Sequence, residues 1–471
     1  MKKKDVIAFI TMLSLSLVMC LGYISGHYST DDFNIMNIGY NKYSLINNLR
    51  EGRPIMYLYD QLFLKLNISF DTFIKTSVIS AIIITCITII VLYHLIENYS
   101  NKKKNIIFVI LFTMIFNFMY LENLYFVESI VMALSLLLYT LSAKYYFKEG
   151  KKNTFIALLL SILATLSYNG LECYYITIVA FTSLLKNKKI NKTVIFDILK
   201  AGIMVIISVA INLIQVKVTC NLLNIKDIRA IRFKPFANIL YIIYNIPSLF
   251  IDTSWLFPKY VFIISLIILL VLSIVYDHKK GKEKLFLENI FLSLISIFSC
   301  FCISVVSLSS FGTGRLLFGI GMTIGLILLN SYLEVKEKSF KKIIIGLSII
   351  WLLLNSFNYF NRTLLSKHNN DVEKNEIIEL NKKIKEYELE KDIPVKKMIC
   401  INYYESRDVS VIDAKALKTE WSCNGVVNFY TGRELKKVKL TKKEMKEYHK
   451  KIKGKEYLLE DDTLIIEMYD W

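Results

Sequence analysis

Two adjacent carboxylates, Asp31 and Asp32, directly follow the first apolar segment of the chain, residues 6–24. That segment is long enough to cross a bilayer as a helix, so we expect the pair at a membrane surface. A carboxylate there can take a proton from an attacking hydroxyl or bind a cation. Ser29 offers another role for one of them, because a helix capped by Ser29 has Asp32 at its third position, where the helix dipole favours acid. One aspartate is then structural and the other is the candidate base.

Further ionisable residues accompany the spans. Glu122 falls in a short loop between two apolar segments and is the second candidate for catalysis. Glu128 and Glu172 lie within or beside apolar segments, where ionisable side chains are costly and tend to be functional. Together with His27, near the acidic pair, they are candidate substrate or metal contacts. No spaced metal motif accompanies them, so a divalent metal stays open and no cofactor is assigned.

The chain that positions these residues is mostly apolar. It has 471 residues, of which 54% are hydrophobic, and its mean hydropathy is +0.44. Apolar runs predict about eleven membrane-spanning helices, at residues 6–24, 77–96, 105–120, 124–143, 154–169, 171–185, 198–219, 259–276, 286–307, 316–333 and 343–359.

Lysines between the spans predict the orientation. They cluster at residues 2–4, 102–104, 144–152, 186–192, 279–284 and 336–342. With a cytoplasmic N-terminus every cluster falls on the cytoplasmic side, as the positive-inside rule requires. The net charge of +18 then reflects topology, and we do not expect nucleic acid as a partner. The prediction is a multi-pass plasma-membrane protein.

The arginines, in contrast, are all expected on the outer face. Arginine can bind phosphate bidentately, which lysine cannot. Arg53, in the turn 51–54, and Arg315, which follows Gly314 at the mouth of a span, are the first candidates for binding a phosphate. Arg229 and Arg232 are two further candidates. The remaining ones in the outer tail are expected to pair with surface carboxylates: Arg362, Arg407 and Arg433.

Three larger regions are expected outside, at residues 25–76, at 220–258 and in the tail 361–471, so the predicted membrane domain is 1–360. Within the second region, residues 236–251 are apolar but interrupted by Pro247. We expect an interfacial or re-entrant helix there, because a twelfth span would move two lysine clusters outside.

The tail is polar and charged, and its patterns predict a small α/β domain on the outer face. Residues 371–389 read as an amphipathic helix, and 398–404 and 464–468 read as strands. Thr441 and Glu444 form a capping box that opens a helix to about residue 452.

These parts suit displacement at a sugar carbon. A carboxylate deprotonates an acceptor hydroxyl, which attacks the anomeric carbon while a lipid phosphate leaves. Arginines at the membrane surface stabilise the charge on that phosphate. The sequence contains no Walker-type or Rossmann-type glycine motif, and a donor embedded in the bilayer needs none.

The pattern resembles GT-C glycosyltransferases and, more narrowly, the type II Gtr glucosyltransferases that decorate bacterial surface polysaccharides. The resemblance rests on the pair Asp31-Asp32, the turn 52–54 and the hydropathy of residues 1–360. It implies a catalytic base at Asp31 or Asp32, a second acid at Glu122, a polyprenyl-phosphate sugar donor and inversion at the anomeric carbon. Some members of the superfamily use a divalent metal and others do not.

The expected protein is an all-α polytopic membrane protein, GT-C-like, with a small α/β extracytoplasmic C-terminal domain. It is expected to move a hexose, glucose by the resemblance, from a polyprenyl (undecaprenyl) phosphate to a cell-surface glycan. Its partners would be that donor, the glycan acceptor, membrane lipid, and a separate donor synthase and flippase. Two alternatives stay open: a lipid-linked-sugar flippase or transporter, in which charges gather at the bilayer midplane, and a surface polysaccharide polymerase.

Overall fold

A computed structural model describes residues 3–100, 104–225, 234–281, 283–306, 312–402 and 410–468. The chain divides into two compact units. The first, which we call the helical unit, comprises Met1–Cys20, Ser44–Leu124 and Glu128–Asn361. The second, which we call the sheet unit, comprises Leu21–Tyr43, Tyr125–Val127 and Arg362–Trp471.

The helical unit is built from α-helices, with a short π-helix at Ser44–Asn48 and short 3-10 helices at Thr253–Trp255 and Gly314–Leu316. Its helices are Lys3–Met19, Pro54–Lys65, Phe70–Ser100, Ile106–Ile115, Ser129–Tyr146, Lys151–Ser167, Glu172–Asn187, Lys192–Leu222, Pro235–Asp252, Val261–Lys280, Lys284–Cys300, Cys302–Val306 and Phe318–Glu334. The short helix Tyr120–Tyr125 and the long helix Lys338–Lys391 each contribute residues to both units.

Each of the eleven predicted spans contains a helix. Among the described residues, five helices are long and apolar enough to cross a membrane: Phe70–Ser100, Ser129–Tyr146, Lys192–Leu222, Val261–Lys280 and Lys338–Lys391. The prediction of a mostly helical protein is thus confirmed. The predicted number of about eleven spans is not, because five of the described helices meet the length and composition of a span.

Two of the shorter apolar helices form the core of the helical unit. Every residue of Phe318–Glu334 except the last is buried, and so is most of Ile106–Ile115. Ile106–Ile115 has only 10 residues, about 15 Å of helix, which is half the thickness of a hydrocarbon core. Its apolar character therefore reflects packing against other helices, which a hydropathy window cannot distinguish from exposure to lipid.

The helix Pro235–Asp252 continues through Pro247. The sequence interpretation that Pro247 interrupts this segment is therefore wrong. Proline removes one backbone donor from the helix, but the flanking turns retain theirs. Large side chains such as Phe236, Leu240 and Tyr244 are exposed along this helix.

The sheet unit contains a four-stranded sheet: β1 (Lys397–Asn402), β2 (Lys436–Lys437), β3 (Tyr457–Glu460) and β4 (Thr463–Met468). The order is β2-β1-β4-β3, with β1 parallel to both its neighbours and β3 antiparallel to β4. The two strands predicted in the tail are confirmed as β1 and β4. So is the helix opened by the capping box, which spans Lys442–Ile452.

Side chains alternate across this sheet, as strand geometry requires. Met398 and Leu464 face one side, where they join Phe33, Ile384 and Val426 in the main core. That core includes the helices Thr30–Ile38 and Cys423–Thr431. The opposite side forms a smaller cluster of Ile399, Ile401, Ile452 and Ile465. The remaining short elements of the unit are Leu21–Ile24, Tyr40–Tyr43 and Ala416–Lys418.

Candidate functional site

The acidic pair lies in the sheet unit, at the start of the helix Thr30–Ile38. The Asp32 backbone N–H donates to Ser29 Oγ at 3.2 Å, and the Ser29 N–H donates to Asp32 Oδ2 at 2.7 Å. This is a complete capping box, and Asp32 is fully buried. The predicted capping role is confirmed for Asp32, which leaves Asp31 as the candidate base of the pair.

Asp31 is half-buried and receives a hydrogen bond from a side chain distant in sequence. Trp421 Nε1 donates to Asp31 Oδ1 at 2.9 Å, and the indole remains 44% exposed. Next to Asp31, the Thr30 N–H donates to the Tyr125 hydroxyl at 3.3 Å. The sequence did not point to Trp421. The only signal that could have done so was a tryptophan within an otherwise polar stretch of the tail.

His27 lies between the rings of Tyr23 and Tyr125, at centroid distances of 4.9 and 4.8 Å. Its Nδ1 is 3.3 Å from Ser366 Oγ, and its Nε2 has no hydrogen-bond partner among the described residues. Burial lowers the pKa of His27 to about 3, because a buried imidazolium loses its hydration. The ring is therefore neutral at neutral pH and supplies no positive charge for a phosphate.

Arg53, in the helical unit, is held by a turn that docks onto a helix. Asn212 Nδ2, on the helix Lys192–Leu222, donates to the Gly52 carbonyl at 2.6 Å. Gly52 has φ +74°, and a Cβ there would lie 2.4 Å from Asn212 Oδ1. Only glycine combines this conformation with so close an approach. Pro54 then begins the helix Pro54–Lys65, where its missing N–H costs nothing.

The Arg53 guanidinium is buried among acidic and aromatic groups. Its Nη1 is 3.1 Å from Glu128 Oε1, and its Nη2 is 3.1 Å from Glu51 Oε2. Its Cζ lies 5.4 Å from the centroid of the Tyr168 ring. The side chain is only 8% exposed. These contacts offset the cost of burying the cation and fix the position of Glu128.

Glu122 forms a second pair with the loop before the helix Phe318–Glu334. Its Oε2 accepts from the Gly314 N–H at 2.6 Å, and its Oε1 is 3.5 Å from Arg315 Nε. A Cβ at position 314 would lie 2.2 Å from Leu256 and 2.9 Å from Glu122 Oε2, so glycine is required. Burial raises the pKa of Glu122, while the Arg315 cation and the backbone N–H groups oppose the rise.

Tyr168 connects the two pairs. Its buried hydroxyl is within electrostatic range of Arg53, Glu128, Arg315 and Glu122. The structure therefore brings these four predicted residues together around one aromatic side chain, which we call the Tyr168 cluster. The sequence did not point to Tyr168, because it ends an apolar segment and has no ionisable residue beside it.

The remaining candidates are distributed as follows. Glu172 is buried at the first position of the helix Glu172–Asn187. Arg229 and Arg232 lie outside the described residues, as does Arg407. Across the described ranges, no group of three or more His, Cys, Asp or Glu side chains is placed to hold a metal ion.

The arginines of the tail pair with carboxylates, as predicted for Arg362 and Arg433. Arg362 Nη1 is 2.5 Å from Asp413 Oδ2. Arg433 binds Glu388 through two parallel contacts of 2.8 and 2.9 Å, and its Nε donates to Asn381 at 2.7 Å.

Comparison with known proteins gives one family. Residues 20–332 match the family described as Glucosyl transferase GtrII. No curated protein and no solved structure matches the chain. The match covers more than half of the chain and confirms the resemblance to the type II Gtr glucosyltransferases. The matched range includes the acidic pair and the Tyr168 cluster, and it ends before the long helix Lys338–Lys391.

Proposed function

Because the chain belongs to the GtrII family of glucosyl transferases, we propose that it transfers glucose from a polyprenyl-phosphate donor to a cell-surface glycan on the outer face of the membrane. The observation that carries the proposal is the Tyr168 cluster, in which two arginines and two glutamates are gathered inside a unit of apolar helices. A buried cluster of this kind suits a charged headgroup whose tail remains in lipid.

Arg315 is the proposed ligand of the donor phosphate. Its side chain is 22% exposed, whereas that of Arg53 is only 8% exposed and lies between two carboxylates. A guanidinium that a ligand can reach stabilises the charge that develops on a departing phosphate. Arg53 then acts as a positioning residue for Glu128 and Tyr168. Arg229 and Arg232 stay candidates for the same phosphate.

Asp31 is the proposed general base. Its carboxylate takes the proton of the acceptor hydroxyl, the hydroxyl oxygen bonds to the anomeric carbon, and the bond from that carbon to the phosphate oxygen breaks. The phosphate leaves with the electron pair, and the configuration at the carbon inverts because the hydroxyl attacks the face opposite the phosphate. Asp32 is already committed to the capping box, and we assign it a structural role.

Glu122 is the proposed orienting group for Arg315. It contacts the arginine through Nε, the nitrogen nearest the main chain, and its other oxygen accepts from the Gly314 N–H. A guanidinium fixed from one side is oriented before the donor binds, which lowers the reorganisation needed in the transition state.

The donor must be made and moved to the outer face before use. We therefore propose a separate donor synthase and a flippase as partners, with a surface glycan as acceptor. The C-terminal residues, with the sheet, are proposed to be extracytoplasmic, as the lysine distribution predicts.

The test is transfer from polyprenyl-phosphate glucose in membranes that contain Asp31→Asn, Asp32→Asn or Glu122→Gln. Asp71→Asn is the matched control, because Asp71 is an exposed carboxylate paired with Lys75 one helical turn away. At unchanged protein level, we expect Asp31→Asn to lose transfer, Glu122→Gln to keep a reduced residual rate, and Asp71→Asn to retain transfer.

Full transfer by Asp31→Asn at normal protein level would exclude Asp31 as the base. The side on which unused donor accumulates separates the proposal from its rival. Donor on the outer face indicates an inactive transferase, whereas donor on the cytoplasmic face indicates an inactive flippase. A reporter fused after Trp471 should read as external, and a cytoplasmic reading would contradict the proposed topology.

A further inference from the structure

Among the described residues of the helical unit, one buried amide and one buried carboxylate have no hydrogen-bond partner for any side-chain polar atom. Asn123 is fully buried, and neither its Oδ1 nor its Nδ2 has a hydrogen-bond partner among the described residues. Glu172 is 3% exposed, and within the described ranges neither of its carboxylate oxygens is hydrogen-bonded to another residue. Together they offer amide N–H donors and three acceptor oxygens.

The other buried amides and carboxylates that the structure describes in this unit have at least one paired side-chain atom, as two examples show. The Asn289 amide donates to Ser273 and Ser331, and its oxygen accepts from Asn330. Glu288 has Lys284 as an ion partner. Burying an amide or carboxylate without a partner costs several-fold more than a typical hydrogen bond contributes, so an unmatched pair in one unit needs an explanation.

Both residues are close in the chain to positions that contact the same short segment, Gly314–Leu316. Asn123 directly follows Glu122, whose carboxylate accepts from the Gly314 N–H. Glu172 is two residues after Gly170, and a Cβ on Gly170 would lie 2.7 Å from Leu316 Cδ2. Asn123 and Glu172 therefore each lie within two residues of a position that contacts the loop containing Arg315, the proposed phosphate ligand.

We infer that Asn123 and Glu172 bind hydroxyl groups of the donor hexose and so determine which sugar is transferred. This inference rests on the proposed function. A hydroxyl donates one hydrogen bond and accepts another, so a carboxylate can accept from it and an amide N–H can donate to it. A site built to bond a substrate hydroxyl rejects an analogue that lacks it, because its own polar groups then stay unpaired.

Other ligands fit these two residues less well. A phosphate is repelled by the Glu172 carboxylate, while Arg315 nearby suits it. A divalent cation requires several oxygen ligands in one shell, and the described residues contain no such group. A neutral polyol is the remaining class that uses both a carboxylate and an amide.

The test is binding, measured on the purified full chain in detergent with two short-chain lipids, polyprenyl-phosphate glucose and the sugar-free polyprenyl phosphate. The quantity of interest is the ratio of their dissociation constants. We expect Asn123→Ala and Glu172→Gln each to reduce the advantage of the glucose-bearing lipid about tenfold. Their affinity for the sugar-free lipid should equal that of the wild type.

Glu288→Gln is the matched control, since it alters a buried carboxylate that has its own lysine, and it should leave the ratio unchanged. A second arm compares glucose-bearing with galactose-bearing lipid. The wild type should favour one sugar, and Glu172→Gln should discriminate less.

Three results would overturn the inference. The first is a ratio that neither variant changes, although the wild type transfers glucose. That result leaves the proposed function intact. The second is equal weakening of both lipids, which indicates that the two residues only support the fold or hold water. The third is a wild type that neither transfers glucose nor distinguishes the two lipids, which overturns the proposed function as well.

Discussion

Arginine–carboxylate pairs occur in both units, but the geometry of the contact differs. In the sheet unit, Arg433 and Glu388 form two parallel hydrogen bonds, Asn381 accepts from Arg433 Nε, and Glu388 also accepts from the Val395 N–H. In the helical unit, Arg315 reaches Glu122 at 3.5 Å.

The difference separates structural from functional charge. A bidentate pair with its remaining donors satisfied has little capacity left for a ligand, and it holds two chain segments together. The contact between Arg315 and Glu122 is longer, and the Arg315 side chain is 22% exposed, so a ligand can reach its guanidinium. The sequence contains eight arginines, but their number says nothing of this distinction.

The largest effect on the rate of transfer is expected at Arg315. We expect Arg315→Ala to reduce the initial rate of glucose transfer by about 10²–10³-fold, the usual loss when one group that stabilises a developing charge is removed. The measurement is transfer from polyprenyl-phosphate glucose, normalised to folded protein. A loss below about threefold would mean that another cation binds the phosphate.

The second effect concerns pH. Burial raises the pKa of Glu122, so its carboxylate is protonated at a higher pH than that of an exposed glutamate. The wild-type rate should fall as the pH decreases through this raised pKa, about tenfold per unit once below it. In Glu122→Gln the residual rate should lack this decline, and a persistent decline would assign it to another group.

A smaller effect is expected at Trp421. Trp421→Phe keeps the aromatic ring but removes the N–H that donates to Asp31 Oδ1. We expect kcat to fall about fivefold and KM for the donor to stay unchanged, because one hydrogen bond to the base is lost. Phe429→Leu, at another exposed aromatic of the sheet unit, is the control. If it changes kcat and KM as Trp421→Phe does, the effect is not specific to Asp31.

The smallest effect on transfer is expected at the bidentate pair Arg433–Glu388. Arg433→Ala should lower the free energy of unfolding by about 1 kcal/mol, with transfer per folded molecule unchanged. Arg433 holds the pKa of Glu388 below its usual range. The stability from this pair is therefore present above the ordinary glutamate pKa and is lost as the pH falls through the lowered value. A thermal-unfolding series in pH measures this, and equal sensitivity of wild type and variant would contradict it.

Local patterns in the sequence predicted local structure well. Ser29 with Asp32, and Thr441 with Glu444, form the capping boxes that their spacing indicated, because a cap involves only residues three apart. The helices over the apolar runs and the strands β1 and β4 follow from periodicity in the same way.

Partners distant in sequence were not predictable. Tyr168 joins Arg53 and Arg315, and Trp421 joins Asp31 across 390 positions. No periodicity or spacing encodes such contacts, because they depend on tertiary packing. The same applies to the grouping of Leu21–Tyr43 with the C-terminal residues in one compact unit, which requires Phe33 to pack in the core of the sheet unit.

The capping box of Asp32 also has a consequence for genetics. Loss of an N-terminal cap costs about 1 kcal/mol or more, and in cells a change of 1–2 kcal/mol alters the amount of a protein several-fold. Alleles at position 32 should therefore be temperature-sensitive and correctable by overexpression. Alleles at position 31 should yield a normal amount of inert protein that overexpression does not rescue, and that interferes with the wild type by sequestering its lipid donor.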